Sequence, residues 1–191
     1  RSHEQLHRKY GHLDGAAPIP VQRAWLTGFD VVYAAHITGY GSISATLQHV
    51  PETSVEISVT WLTDDQLDLM HGTEGRSESY DYVRLDGLDL SLEAGGRLDA
   101  AFAYVYRRGC LSHQGAPVGL AEAAATGRPH RALAQPEIQA QVHSRFDHGG
   151  DLDTFILENV TDPELRRARE KRLQEDALGF AWPRVAIIVE R

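Results

Sequence analysis

Glu74 has the best setting for proton-transfer chemistry in this sequence. It lies in residues 70–75 (Met-His-Gly-Thr-Glu-Gly), at the end of a predicted turn of helix that follows an apolar strand. Neighbouring glycines let a ligand approach the backbone closely. A carboxylate in a partly apolar pocket can have its pKa raised toward neutrality, and it can then take up and return a proton. We therefore expect Glu74 to act as a general acid and base, although Glu-Gly pairs are also common in ordinary turns. His71 is expected either at the pocket edge or in a solvated turn.

Other reactive side chains form less complete patterns. His3 and His7 are spaced as neighbours on one helix face, but no cysteine or carboxylate completes a four-ligand zinc set. Cys110 has no base nearby in the sequence and is expected to be inert. Ser42 and Ser44 lack the strand-turn-helix context of a nucleophilic serine, so a serine hydrolase is not expected.

Composition disfavours several classes of protein. The 191 residues suffice for one main domain, and no apolar run reaches the roughly 20 residues that a membrane-spanning helix needs. The net charge of −8 disfavours nucleic-acid binding, which requires clustered Lys and Arg. Because Cys110 is the only cysteine, no internal disulfide can form, and a reducing compartment is favoured. We expect a soluble cytoplasmic protein with no nucleic-acid or membrane partner.

Strands are predicted from alternation and from β-branched and aromatic composition. Residues 55–62 alternate apolar Val55, Ile57 and Val59 with polar residues, which is the period of two of a strand with one buried face. Further strands are predicted at residues 24–33, 43–47, 80–85, 98–106 and 185–189.

Helix signals separate these strands. Thr63 and Gln66 have the spacing of a capping box, which predicts a short helix extending to about residue 70. Pro163 is well placed in the first turn of a charged helix that ends near residue 176. The order of strands, a short helix, strands and then helices indicates an α+β fold, not repeated βαβ units. Other helices are predicted at residues 3–9, 118–126 and 137–143.

Several motifs follow one another in order along residues 24–129. An aromatic and β-branched strand at residues 24–33 precedes a strand at residues 41–47, in which a glycine is followed by Ala-Thr. Residues 55–70 then combine a strand with a short helix, and a Glu-Gly pair follows at Glu74. In this order and spacing, a little over half of the chain resembles the γ-glutamylcyclotransferase-like family.

The resemblance implies roles for individual residues. Glu74 falls where the family keeps its catalytic glutamate, and Tyr80 falls near the tyrosine that lines its pocket. Tyr104 resembles the tyrosine of a later Ala-x-x-Tyr strand, and residues 124–129 resemble an Ala-x-x-Gly-x-Pro helix end. Tyr80, Tyr104 and Gly41 are the implied substrate-binding residues. Taken alone, both tyrosines are typical of ordinary sheet residues.

One motif of the family is missing from the chain. Members open with a strand that ends in Tyr-Gly-Ser-Asn-Leu, whose backbone N–H groups hold the substrate carbonyl. Residues 10–13 (Tyr-Gly-His-Leu) match it only superficially, because residues 5–9 are polar and read as helix. Residues 2–9 correspond better to the helix that follows the family's loop. The sequence begins at Arg1 without an initiator methionine, so we expect the binding loop to lie upstream of it.

The implied fold is α+β, with a mixed, barrel-like β-sheet and short flanking helices, over residues 1–150. The implied reaction is intramolecular: the α-amino group of a γ-glutamyl amide attacks its own γ-carbonyl, forms 5-oxoproline and releases an amine or amino acid. Glu74 would move the proton and loop N–H groups would stabilise the oxyanion. No metal or organic cofactor is implied. Residues 151–191 are expected to form a C-terminal helix and strand that pack on the core or mediate homodimer formation.

Two alternatives remain open at this point. The chain could be a non-catalytic ligand-binding or scaffolding relative of the same fold, which the missing loop would favour. Alternatively, the strand predicted at residues 185–189 could take the place of the family's first strand. The sequence does not identify the leaving group, which could be an amino acid, a polyamine or an antibiotic amine.

Overall fold

Two long antiparallel strands form the centre of the molecule. In this computed structural model, which describes residues 19–73 and 79–188, β1 (Val21–Ile37) pairs with β2 (Ile43–Thr60) from Val21↔Thr60 to Ile37↔Ile43. Aromatic and β-branched side chains favour such extended pairing because they pack well on a pleated surface. The strand predicted at residues 24–33 is confirmed and is longer than the pattern indicated.

The strand β2 joins two strands that were predicted separately. Its register moves from Phe29↔His49 to Thr27↔Ser54, so four residues of β2 have no partner on β1 at this point. Pro51 lies in this irregular stretch and has no backbone N–H to donate. The gap predicted between residues 47 and 55 is therefore a local break in pairing within one continuous strand.

The remaining strands extend this sheet or flank it. The hairpin of β3 (Tyr80–Leu92) and β4 (Arg97–Tyr106) joins β1 through pairs from Ala24↔Leu92 to Thr27↔Asp89. Short strands follow: β5 (Ser112–His113), β6 (Ala116–Pro117), β7 (Gly119–Leu120), β8 (Ala125–Thr126), β9 (Ala132–Leu133) and β10 (Val185–Ile187). Strand β10 pairs antiparallel with residues 83–85 of β3, whereas β1 pairs with residues 89–92 of β3.

Short helices complete the α+β architecture. They are α1 (Asp64–Thr73), α2 (Gln135–His143), α3 (Leu152–Thr161) and α4 (Pro163–Leu173). The predicted capping box of α1 is confirmed, because Thr63 Oγ1 accepts from the Gln66 N–H and Gln66 Oε1 accepts from the Thr63 N–H. Of the helices in the described ranges, none has the length and apolar content to cross a membrane. The helix predicted at residues 3–9 lies outside the described residues.

The α+β fold class is confirmed, but the barrel-like sheet is wrong. Over the described ranges, the strands run in the order β10-β3-β1-β2-β8 without closing, and all pairings except β7 with β9 are antiparallel. The physical reason is that α4 packs against β1 and α2 against β2. Helices, not further strands, bury this part of the sheet.

The helix predicted at residues 118–126 is also wrong. Its alanines favour a helix, but backbone groups of this segment pair with strands of the sheet instead. Gly119 pairs with Val32 of β1, and Ala125 pairs with Val55 of β2. Ladder hydrogen bonds to strands that are already in place therefore outweigh local helix propensity.

Two apolar clusters form the core, and the C-terminal region contributes to both. Phe155 and Leu173, from α3 and α4, are buried in the cluster around Tyr33. Trp182 packs against the other cluster, which contains Phe29. The region predicted as an extension thus packs on the core.

A buried ion cluster fixes the segment after β8 to the sheet. Asp30 on β1 is fully buried and accepts two hydrogen bonds of 2.7 Å from the Arg128 guanidinium. His130 Nε2 lies 2.8 Å from Oδ2 of the same carboxylate. The guanidinium also donates to the carbonyls of Leu120 and Ala123. A two-point guanidinium-carboxylate contact is among the stronger charge pairs in proteins.

We predict that Arg128→Ala lowers the free energy of unfolding by about 3–5 kcal/mol, because it leaves the buried Asp30 carboxylate without its guanidinium partner. The matched control is Arg131→Ala, which removes an exposed guanidinium and should cost less than about 0.5 kcal/mol. Urea unfolding followed by circular dichroism measures both. Equal losses in the two variants would contradict the structural role given to Arg128.

Candidate functional site

One face of the β3-β4 hairpin carries a row of aromatic rings. Cross-strand partners in a sheet point to the same face. The pairs Tyr80↔Tyr106 and Tyr82↔Tyr104 therefore share a face, and Phe102 extends it opposite Arg84. The alternate residues of β3, such as Val83, point into the core on the other side. We call the five rings the aromatic face: Tyr80, Tyr82, Phe102, Tyr104 and Tyr106.

The rings of the aromatic face contact one another. Tyr80 and Tyr106 meet edge to face with centroids 5.4 Å apart, and Tyr82 lies 5.1 Å from Tyr104. Tyr82 also stacks on Phe102 at 5.3 Å with the planes 12° apart. Phe102 is 54% exposed, so this end of the face is open to solvent.

The helix α1 places His71 on the aromatic face. The Tyr104 hydroxyl and His71 Nδ1 share a hydrogen bond of 2.6 Å, whose direction depends on the imidazole tautomer. The imidazole also meets the Tyr82 ring edge to face at 4.7 Å. His71 is 9% exposed, so it does not lie in a solvated turn. The structure supports the expectation that it lies beside a ring-lined surface.

His36 on β1 is the centre of a polar cluster at the Tyr106 end of this face. Its Nδ1 lies 2.9 Å from Oγ of Ser44 on β2, and its Nε2 lies 3.4 Å from Oε1 of Glu170 on α4. That oxygen also accepts a hydrogen bond from the Ile37 N–H. The imidazole stacks on Tyr106 with centroids 5.1 Å apart and planes 18° apart. We call Ser44, His36, Glu170 and Tyr106 the His36 cluster.

Burial shifts three pKa values in the His36 cluster. Desolvation lowers the pKa of His36, and the positive charges of Arg166 and Arg108 lower it further. Desolvation raises the pKa of Glu170. It also raises the pKa of Tyr106 to about 12, with the Glu170 charge as the next cause. The low local polarity therefore favours the uncharged form of each group.

Hydrogen bonds from α4 and β2 fix the ring beneath His36. Gln174 Nε2, directly after α4, donates to the Tyr106 hydroxyl at 3.1 Å and to the Ala35 carbonyl at 3.3 Å. The Tyr106 N–H donates to Thr46 Oγ1 at 2.9 Å. These bonds connect β1, β2, β4 and the end of α4, so the stacking partner of His36 has a defined position.

The structure brings together part of the site that the sequence predicted. Tyr80 and Tyr104 both lie on the aromatic face, and the Tyr80 hydroxyl also donates to the Ala45 carbonyl at 3.4 Å. Glu74 lies outside the described residues. It directly follows Thr73, the last residue of α1, and His71 of the same helix contacts the aromatic face. The catalytic role of Glu74 stays a prediction.

Gly41 lies in a different environment from the two tyrosines. It adopts a φ of +80° in the turn between β1 and β2, and its carbonyl accepts a hydrogen bond from Gln139 on α2. A Cβ at this position would lie 2.8 Å from Ile156 Cγ2 on α3. These contacts give Gly41 a packing role against the helices, and its predicted substrate contact stays untested.

Sequence reasoning missed the His36 cluster. Ser44 lacks a nucleophile motif, Tyr106 was predicted only as part of a strand, and His36 falls just after the strand predicted at residues 24–33 with no role assigned to it. Glu170 lies 133 residues from Ile37, whose N–H it accepts, so only the packing of α4 on β1 unites them. A histidine on a strand of apolar and aromatic residues is the one local signal that the sequence offers.

Metal binding and relationship to known proteins were also assessed. Within residues 19–73 and 79–188, no three His, Cys, Asp or Glu side chains are grouped so as to hold a metal ion. Comparisons with protein-family models, curated protein sequences and solved structures gave no significant match.

We predict that His36 makes the protein less stable in mild acid. Because its folded-state pKa is below the ordinary 6.5, the unfolded chain takes up a proton before the folded chain does. The stability contributed by neutral His36 is full above about pH 6.5 and is lost as the pH falls toward the folded-state pKa. Between about pH 7.5 and about pH 5, the wild type should lose stability more steeply than His36→Gln. Chemical unfolding at several pH values measures this, and parallel curves would contradict it.

Comparing the pH dependence of stability with and without His36 in a Glu170→Gln background removes the opposing contribution of Glu170. The raised pKa of Glu170 means that its stability contribution falls as the pH rises above about 4.5. With Glu170 replaced, the steeper acid loss of the chain that retains His36 should persist.

We predict that Gly41→Ala destabilises the fold by about 2 kcal/mol or more, because an L side chain at this φ is strained and its Cβ would overlap Ile156. The matched control in the same turn is Gly39→Ala, since a Cβ there would meet no atom within 4 Å. Thermal unfolding distinguishes the two variants. A Gly41→Ala protein as stable as Gly39→Ala would refute the packing role.

Proposed function

We propose that this protein cyclises a γ-glutamyl amide to 5-oxoproline and releases an amine or amino acid, with Glu74 as general acid and base. One observation carries the proposal: His71 and Tyr80, which flank Glu74 in the sequence, both contact the aromatic face that contains Tyr104. The proposal is that Glu74 also lies close to these rings, since apolar surroundings of that kind raise a carboxyl pKa.

The proposed reaction needs only proton movement and positioning. The substrate's amino nitrogen forms a bond to the γ-carbonyl carbon, and the bond from that carbon to the leaving nitrogen breaks. Glu74 accepts the proton that the attacking nitrogen loses and donates it to the leaving nitrogen. Attack within one molecule already supplies most of the proximity advantage.

Two tyrosines are proposed to form the substrate-facing walls. Tyr80 and Tyr104 present ring edges and hydroxyls on the same face, and Tyr104 is held by its hydrogen bond to His71. Rings held by neighbours lose little freedom when a ligand binds. Gly41 would contribute only through the shape of its turn.

The assignment of the fold to the γ-glutamylcyclotransferase-like family is part of the same proposal. The order of β1, β2, α1 and then β3 with β4 agrees with the series of motifs that resembles the γ-glutamylcyclotransferase-like family. A cytoplasmic location, suggested by the single cysteine, is proposed with it.

Glu74→Gln should lower the rate of 5-oxoproline release by at least about 100-fold, because the amide cannot exchange a proton at neutral pH. The matched control is Glu52→Gln, which makes the same change at an exposed position of β2 and should retain full activity. The assay screens γ-glutamyl amides of amino acids, polyamines and aminoglycosides. Undiminished activity in Glu74→Gln with an unchanged circular dichroism spectrum would reject this role.

A non-catalytic ligand-binding role is the second candidate. It is favoured by the exposed Phe102 ring, which stacks on the buried Tyr82 ring and offers an apolar surface to a ligand. Calorimetric binding of a γ-glutamyl amide without 5-oxoproline release from the wild type would support this role over the enzymatic one.

A further inference from the structure

The His36 cluster has the geometry of an activated serine. A weak nucleophile such as serine is activated when a base lies within hydrogen-bond reach and a third group orients that base. Ser44 Oγ lies 2.9 Å from His36 Nδ1, and Glu170 Oε1 lies 3.4 Å from His36 Nε2. These contacts give the three residues the relative positions of nucleophile, base and orienting carboxylate.

When Glu170 is ionised, a form that the Ile37 N–H hydrogen bond favours against the effect of burial, its contact with Nε2 favours the tautomer that activation requires. An ionised carboxylate only accepts hydrogen bonds, so it pairs with His36 when Nε2 carries the proton. The lone pair on Nδ1 is then free to accept the Ser44 hydroxyl proton. Such arrangements are recognised by geometry and roles, and here Nδ1 faces the serine and Nε2 faces the acid.

The surroundings support nucleophilic attack at Ser44. Stacking on Tyr106 fixes the imidazole plane. The lowered pKa of His36 keeps the ring unprotonated and able to act as a base near neutral pH. The positive charges of Arg166 and Arg108 also disfavour protonation of the imidazole.

We propose that Ser44 is a nucleophile that accepts a small acyl group from an activated ester, with His36 as its base and Glu170 as a positioning residue. The His36 side chain is 21% exposed and Ser44 is half-buried, so only part of the cluster meets solvent, which favours a small acyl group as substrate. The proposed nucleophile, base and orienting carboxylate do not include Glu74, and the His36 ring lies 6.3 Å, centroid to centroid, from Tyr80 of the aromatic face.

The steps of the proposed reaction balance. Ser44 Oγ forms a bond to the acyl carbon while its proton passes to His36 Nδ1. The bond from the acyl carbon to the ester oxygen breaks, and the leaving alcohol takes the proton from His36. Water then attacks the acyl-serine, passes a proton through His36 to Ser44 Oγ, and releases the carboxylic acid.

A fluorophosphonate probe tests the nucleophile directly, because Ser44 Oγ would form a bond to phosphorus as fluoride leaves. Peptide mass spectrometry of the labelled wild type should find the adduct on Ser44. Ser44→Ala should lose it, and His36→Gln should label at least about 100-fold more slowly. Ser42→Ala is the matched control, since Ser42 Oγ bonds to Thr38 and not to a histidine, and its labelling should equal that of the wild type.

The role of Glu170 is tested by the pH profile. The rate of wild-type labelling should rise with pH and then reach a plateau, and the midpoint of the rise should lie below pH 6.5. In Glu170→Gln the plateau should fall, and the midpoint should move to lower pH because the carboxylate that favours protonated imidazole is gone. A loss of packing alone would expose the imidazole and move the midpoint to higher pH, because burial is the main cause of its lowered pKa. An unmoved or raised midpoint would therefore reject the positioning role.

Three results would overturn the proposal: no adduct on Ser44 in the folded wild type, an adduct that persists on another residue in Ser44→Ala at the same rate, or undiminished labelling of His36→Gln. Circular dichroism and unfolding curves confirm that each variant is folded. Labelling of Ser44 and release of 5-oxoproline are measured in separate assays, so failure of one leaves the result for the other standing.

Discussion

The pairing of β1 with β2 is the interaction on which the rest of the structure depends. It runs from Val21↔Thr60 to Ile37↔Ile43, and every other strand of this sheet attaches to β1 or β2 directly, through β3 or through β7. A pair of strands alone is only marginally stable in water. Its stability comes from burial of β1 on several sides, by β3, β7 and α4.

Two polar clusters on β1, one around Asp30 and one around His36, compensate in different ways for the free-energy cost of burying polar groups. Asp30 keeps a buried charge and surrounds it with Arg128 and His130, so every strong acceptor position has a donor. His36 and Glu170 instead meet at a longer distance in an environment that favours their neutral forms. The first arrangement holds a segment in place. The second shifts the pKa of His36 downward and that of Glu170 upward, a pattern found at functional sites.

The sequence was informative where structure follows from local pattern. Aromatic and β-branched composition identified β1, alternation identified the second half of β2, and the Thr63-Gln66 spacing identified the start of α1. Propensity failed at residues 118–126, where pairing with distant strands outweighs the preference of alanine for helix. The aromatic face could be anticipated from Tyr80 and Tyr104, but the contacts of His36 with Glu170 depend on residues that only tertiary packing unites. Glu74 rests on local sequence and on the resemblance alone.

The distances along the chain between β1 and its partners also determine the order of assembly. Arg128 lies 98 residues from Asp30, and Gln174 lies 139 residues from Ala35. During synthesis the β1-β2 hairpin leaves the ribosome long before the residues that bury it, and closing such long loops is slow. The nascent hairpin therefore exposes apolar surface and unpaired backbone until α4 is made. Its protection from aggregation in that interval must come from outside the hairpin itself.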